Sequence, residues 1–156
     1  MPEQRELFDY WRMKAAIRPF PSRQDINPAE LKHLLPSISL LDIVSEESTR
    51  LRVRLAGTRL RDYLGVEITG HFLDEFDLGN QKDYWDMAYQ EVIEHKRPAQ
   101  GVISLAPWKQ PGIFQFWLRL PLADDEGCIN MVLGHDAFLH SEKAQVLMGR
   151  TNLRIA

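Results

Sequence analysis

Residues 52–70 read RVRLAGTRLRDYLGVEITG, and the change of period inside this stretch decides the fold. Charged and apolar residues alternate from Arg52 to Leu55, as on a strand that buries one face. Ala56 and Gly57 break the alternation. Thr58 then caps a short helix over residues 59–64, and Gly65 ends it. A strand that runs straight into such a helix brings Leu60, Tyr63 and Leu64 back over the apolar face formed by Leu51, Val53 and Leu55. The following segment, residues 65–79, forms the mouth of whatever lies between the two layers.

Upstream, SISLLDIV (residues 37–44) reads as the partner strand, joined by the polar turn SEEST. If Ser45 faces Thr49, Leu41 opposes Val53 and Ile43 opposes Leu51 on one face. Asp42 then opposes Arg52, and Leu40 opposes Arg54, on the other. Apolar and charged pairs fall into place together, which supports an antiparallel hairpin.

The chain opens with a helix over residues 3–17, whose apolar stripe holds Leu7, Phe8, Trp11 and Ala15. Pro19 and Pro21 stop it. A second short helix is expected over residues 27–35, with Asn27 as cap, Pro28 in the first turn and Glu30 at the capping-box position. One turn of helix is expected near residues 73–76. A longer helix runs from Asn80 to about Lys96, with Trp85, Ala88, Val92 and, at its edge, Tyr84 on the apolar side. Residues 99–106, 113–122 and 128–138 then alternate or run apolar as an antiparallel three-stranded meander. PWKQPG and ADDEG are the turns between them. Phe114, Phe116, Leu118 and Leu120 share one face of the middle strand, and Trp117 and Arg119 share the other. Residues 141–156 read as a short helix and a tail. Hairpin first and meander last gives an α+β protein: a five-stranded antiparallel sheet, helices over one face, and an extra N-terminal helix.

Composition narrows the function. The chain has 156 residues, which suits a single domain spanning 1–156. A net charge of −3 argues against a nucleic-acid partner held by a basic field. No apolar run approaches the roughly 20 residues of a membrane span, and the charged N-terminus is unlike a secretory signal. The single cysteine, Cys128, can form no internal disulfide, so a reducing cytoplasm is the expected location.

The element order, and above all the segments YWRMK (10–14), PSRQDINPAELKHLLPSISLLDIV (21–44), RVRLAGTRLRDYLGVEITGHFLDEF (52–76) and RLPLADDEGCINMVLG (119–134), resemble a bacterial family of short, single-domain PAS-like proteins. The resemblance covers most of the chain, with a PAS core over about residues 37–138. It implies a non-enzymatic sensory or regulatory module with a pocket between the sheet and the helices. It also implies output through a protein partner or a homodimer, since the expected elements include no kinase, cyclase or DNA-binding unit.

On this expectation the pocket is lined by Leu55, Leu60, Tyr63, Phe72, Phe76, Tyr84, Trp85, Ala88, Val92, Phe114, Phe116 and Leu118. It would take a small apolar or aromatic molecule gripped by a few polar groups such as Tyr63 and Tyr84. The same aromatic stripe serves equally as packed core. Leu40, Trp117 and Val132 are expected on the outer face of the sheet, where the stripe of the N-terminal helix docks, either within one chain or between two. Leu7, Phe8, Trp11, Ala15 and Trp117 are therefore the candidate partner or dimer interface.

No cofactor or metal is expected. His95 could ligate haem iron but stands in the last turn of its helix, where it can bond free carbonyls. Flavin photochemistry needs a reactive cysteine near the pocket, whereas Cys128 begins a late strand. His135 and His140 project from opposite faces, so they converge on no common ion. No phosphate loop, dinucleotide fingerprint, nucleophile elbow or metalloprotease motif occurs. Two alternatives stand beside the sensor: a small cavity enzyme using Asp74 or Asp77 as a base, and a dimerisation scaffold with a solid core.

Overall fold

The computed structural model describes residues 1–45, 49–105 and 111–151. Helix α1 (Pro2–Ala15) comes first. In place of the expected second helix, residues 21–37 fold as short 3-10 turns at Arg23–Asp25, Pro28–Leu31 and Leu35–Ser37. Pro36 closes the segment, since it has no amide to donate and disfavours a helical residue before it. Asn27 caps as expected, accepting from the Ala29 amide. Glu30 forms no capping box and instead meets Lys14 of α1 at 2.8 Å. The capping box lies one turn earlier, between Ser22 and Asp25.

Strands β1 (Ile38–Ser45) and β2 (Thr49–Ala56) make the hairpin. Its turn, residues 46–48, lies outside the described residues. Ser45↔Thr49, Ile43↔Leu51, Asp42↔Arg52 and Leu41↔Val53 pair as the alternation requires. Leu40 then pairs with Leu55, not with Arg54, because a β-bulge shifts the register between Leu40 and Leu41. One extra residue turns the strand's next side chain to the opposite face. Leu55 therefore leaves the face of Val53 and stands 45% exposed beside Leu40.

Gly57 follows immediately. A β-carbon there would lie 2.3 Å from the carbonyl oxygens of Leu35 and Pro36, so only glycine permits this approach. Helix α2 (Thr58–Leu64) starts on Gly57 and ends at Gly65 in the left-handed conformation. Two 3-10 turns, Leu73–Glu75 and Gly79–Gln81, precede helix α3 (Lys82–Ile93). Strands β3 (Ala99–Ser104), β4 (Ile113–Ala123) and β5 (Ile129–His140) form the meander, and helix α4 (Ser141–Thr151) follows. The end of the expected third strand at Ala106, most of the PWKQPG turn and the tail after residue 151 lie outside the described residues.

The five strands make one antiparallel sheet in the order β2-β1-β5-β4-β3. Both faces are covered. One face, with Leu41, Val53, Val132 and Phe138, packs under α2 and α3. The other, with Leu40, Leu118, Leu120, Leu122, Met131 and Leu133, packs under α1 and the 3-10 turns. Val102, Phe116 and Ala137 continue that second face under α4.

The strand faces are those expected, but their assignment to helices is reversed. Phe114, Phe116 and Leu118 do not meet the long helix; Trp117 and Arg119 do. Trp117 and Val132 are likewise inside, not on the outer face. The physical reason is that both faces of β4 are covered, so the more apolar Phe–Leu face need not be the one under the long helix.

The N-terminal helix docks on the sheet of its own chain. Leu7, Trp11 and Ala15 are buried there, Phe8 is half-buried, and the Trp11 indole donates to the Pro121 carbonyl at 2.8 Å. Gln4, also buried, donates to the Phe116 carbonyl at 2.9 Å. These partners hold the helix in register as well as burying its stripe.

Candidate functional site

A cavity of about 130 Å³ lies between the α2/α3 side and the sheet. Leu41 and Val53 form part of its sheet wall, Leu60 and Leu64 of α2 its lid, and Phe76 and Leu78 of the following loop its mouth. The loop is tied to the edge of β2: the Val53 amide donates to the His71 carbonyl at 2.9 Å, and the Gly70 amide donates to the Val53 carbonyl at 2.7 Å. Arg52 and Phe72 complete this short bridge.

Of the residues expected to line the pocket, Leu60, Phe76 and Trp85 do so. Ala88 and Val92 are buried on the inner side of α3 behind that wall. Tyr63 stacks on Phe138 with ring centroids 4.4 Å apart, and Phe72 lies beneath the Arg50 guanidinium. Tyr84 accepts a hydrogen bond from the Trp117 indole at 2.9 Å, and burial raises its pKa against that bond. Leu55, Phe114, Phe116 and Leu118 are on the far side of the sheet.

The polar centre of the cavity was not foreseen. Arg119 and Gln115 line it, and both donate to Asp136 behind them. Arg119 makes a bidentate pair at 2.9 and 3.1 Å, and Gln115 donates to the same carboxylate at 2.8 Å. Arg119 also donates to the Tyr89 hydroxyl at 3.2 Å and to the Leu118 carbonyl at 3.0 Å. Its guanidinium carbon lies 5.4 Å from the Trp85 ring and 5.9 Å from each of the Tyr89 and Trp117 rings. Burial disfavours its charge, but Asp136 and then Tyr89 outweigh burial and hold its pKa above the usual arginine value. Burial likewise raises the Tyr89 hydroxyl. Alternation could place Arg119 beside Trp117. It could not signal that a charged side chain would be buried, because its partner Asp136 comes from another strand.

The acids proposed for catalysis do not form such a centre. Asp74 is exposed and paired with Arg50 at 2.6 Å. Asp77 lines the cavity mouth but is exposed, and accepts from the Gly79 amide at 2.8 Å. His95 stands past the end of α3, exposed, 3.0 Å from Glu91. Among the described residues no three His, Cys, Asp or Glu side chains converge as a metal site would need. No described helix is long and apolar enough to cross a membrane.

An open sheet in this strand order, roofed on one side by short helices over a small cavity, defines a PAS-type fold. The PAS domain family profile matches residues 1–136, and the chain belongs to that family. The solved structures it resembles include the light state of the blue-light photoreceptor Aureochrome1 LOV. That likeness has 14% identity and a TM-score of 0.54, and covers 80% of this chain and 97% of that one. A light-oxygen-voltage domain studied with a flavin analogue aligns at 14% identity and a TM-score of 0.55, over 80% and 92% of the two chains. A fungal LOV domain photoreceptor aligns at 23% identity and a TM-score of 0.52, over 82% and 88%. No curated protein matches the sequence.

The flavin named for one of these neighbours does not fit the residues present here. A cavity of about 130 Å³ is close to the size that holds benzene, well short of a fused-ring flavin. Trp85, Tyr89 and Arg119 are among its walls, with Asp136 held behind Arg119. Cys128 is exposed beside the β4–β5 turn, where its amide donates to Asp124, and does not line the cavity.

Proposed function

We propose that this protein is a non-enzymatic PAS sensory or regulatory module whose cavity accepts a small apolar or aromatic molecule of about single-ring size. The observation that carries the proposal is the pairing of an apolar lid, Leu60 and Leu64, with polar groups, Gln115 and Arg119, around a cavity of about 130 Å³. Apolar walls supply binding energy, and a few fixed donors set orientation. Occupancy would act on α2 and the 65–79 loop, which are the cavity's outermost walls, and pass to a protein partner or a second copy of the chain. The exposed thiol of Cys128 suits a reducing cytoplasm.

The void argues against a solid-core scaffold. The buried carboxylate nearest the cavity, Asp136, is held by Arg119 and Gln115 and is not a free base, which argues against the enzyme.

Native mass spectrometry of freshly purified protein, followed by thermal melts with benzene, phenol and indole, tests the proposal. A bound small molecule, or a rise in Tm that saturates with one of these probes, is the expected result. Leu60→Trp, which fills the void, should abolish the rise. Absence of any bound molecule together with flat melts for every probe would remove the ligand from the proposal.

A further inference from the structure

A second concavity lies on the reverse side of the sheet and is larger than the cavity, at about 400 Å³. It follows from three local events already described. The bulge turns Leu55 outward beside Leu40. Gly57 lets the β2–α2 turn approach Pro36. Residues 23–36 run as separate turns, which leaves a trough between Ile26 and Leu31 on one side and Leu55 and Leu133 on the other. Ile38 and Leu40 face this groove, while Ser39 and Leu41 of the same strand face the cavity.

The charges around the groove are sorted. Its charged lining residues are Arg23 and Lys32. Each acid of the same segment is drawn away toward the C-terminal end of α1 and the residues after it: Asp25 pairs with Arg18 at 2.6 Å and Glu30 with Lys14 at 2.8 Å. Arg23 donates to the Ile26 carbonyl at 3.1 Å, and no carboxylate pairs with it or with Lys32 among the described residues. A protein with a net charge of −3 thus presents an apolar trough whose charged groups are both cationic.

Small-molecule sites are commonly about 300–1,000 Å³, apolar, with a few converging polar groups. The groove meets that description by size, whereas the cavity falls below it. We infer that the groove binds a free medium-chain aliphatic carboxylate, with its chain along Leu40, Leu55 and Leu133 and its head group at Arg23 and Lys32. This site is independent of the cavity ligand proposed above.

The probe is sodium decanoate below its micelle concentration, titrated into the full chain and followed by methyl NMR. The expected result is a saturable shift of the Leu40, Leu55 and Leu133 methyls, with the cavity methyls of Leu60 and Leu64 shifted less. Decanol, which keeps the chain and loses the charge, should bind about fivefold more weakly, as expected for a solvent-exposed ion pair. The double variant Arg23→Glu/Lys32→Glu should weaken decanoate by at least that factor and leave decanol unchanged. Leu55→Asp, at a position already 45% exposed, should abolish both. The inference is overturned if decanoate leaves the groove methyls unmoved, or if it moves the cavity methyls first. It is also overturned if decanol binds as tightly as decanoate, or if the groove methyls respond to protein concentration alone, which would make a second copy of the chain the occupant.

Discussion

The two faces of the one sheet are built on different principles. Under α1 and α4 the sheet presents leucine, methionine and phenylalanine to an apolar layer, stitched by the Trp11 and Gln4 hydrogen bonds and open only at the groove beside the 3-10 turns. Under α2 and α3 it presents a void and a buried ion pair side by side. Beneath α1 and α4 themselves the first arrangement is packed and apolar. The second gives up packing for enclosed space and fixed polarity. Burial of an arginine and an aspartate contributes little net stability, so their presence on this face is better explained by orientation than by stability.

The largest effect should come from breaking the polar side of the comparison. Arg119→Met leaves Asp136 buried with only the neutral Gln115 to hold its charge and should cost about 3–5 kcal/mol, read by urea denaturation. Arg119→Met combined with Asp136→Leu should recover most of that loss. A double variant no more stable than the single one would show that the pair itself stabilises the fold.

Truncation should then separate the faces by packing. Leu7→Ala empties a fully buried site in the closed layer and should cost about 3 kcal/mol. Leu64→Ala removes a half-buried lid residue that already borders a void, and about 1 kcal/mol is expected. Equal costs would mean the cavity wall is packed as tightly as the opposite face.

The third effect concerns the one discordant group on the closed face. His135 is fully buried, and neither ring nitrogen has a hydrogen-bond partner among the described residues. Glu3 of α1 comes nearest, 3.9 Å from Nε2. Burial lowers the pKa of His135, against the attraction of Asp136 and Glu3, while Arg119 and Arg59 add to the lowering. The unfolded chain therefore binds this proton more readily than the folded one. Stability contributed by neutral His135 is present above about pH 6.5, the unfolded value, and falls as pH drops toward the folded pKa. His135→Leu should flatten the dependence of Tm on pH between neutral and mildly acid buffer. An unchanged slope would assign that dependence to other groups.

Much of this architecture was legible because local chemistry and tertiary contact agree. Four of the hairpin pairs follow from Ser45 facing Thr49. Gly65 stops α2 as its αL conformation requires, and Trp85, Ala88 and Val92 do form the buried stripe of α3. The outward Leu55 was not legible, since a bulge depends on what the neighbouring strand and turn demand and leaves no mark in the alternation. Nor was the fate of Trp117, expected on the outer face where the N-terminal helix docks and found beneath α3.

By itself, then, the order of residues determined the five strands and helices α1 to α3, how the hairpin pairs as far as the bulge, and which side chains of β4 travel together. It did so because period, caps and turns are properties of neighbours along the chain. Tertiary structure alone decided which side of β4 meets which helix, that Arg119 would be buried against Asp136, and that α1 would close on its own sheet. Those outcomes rest on contacts between residues far apart in sequence, and where both faces of a strand are covered its local contrast does not say which helix covers which face.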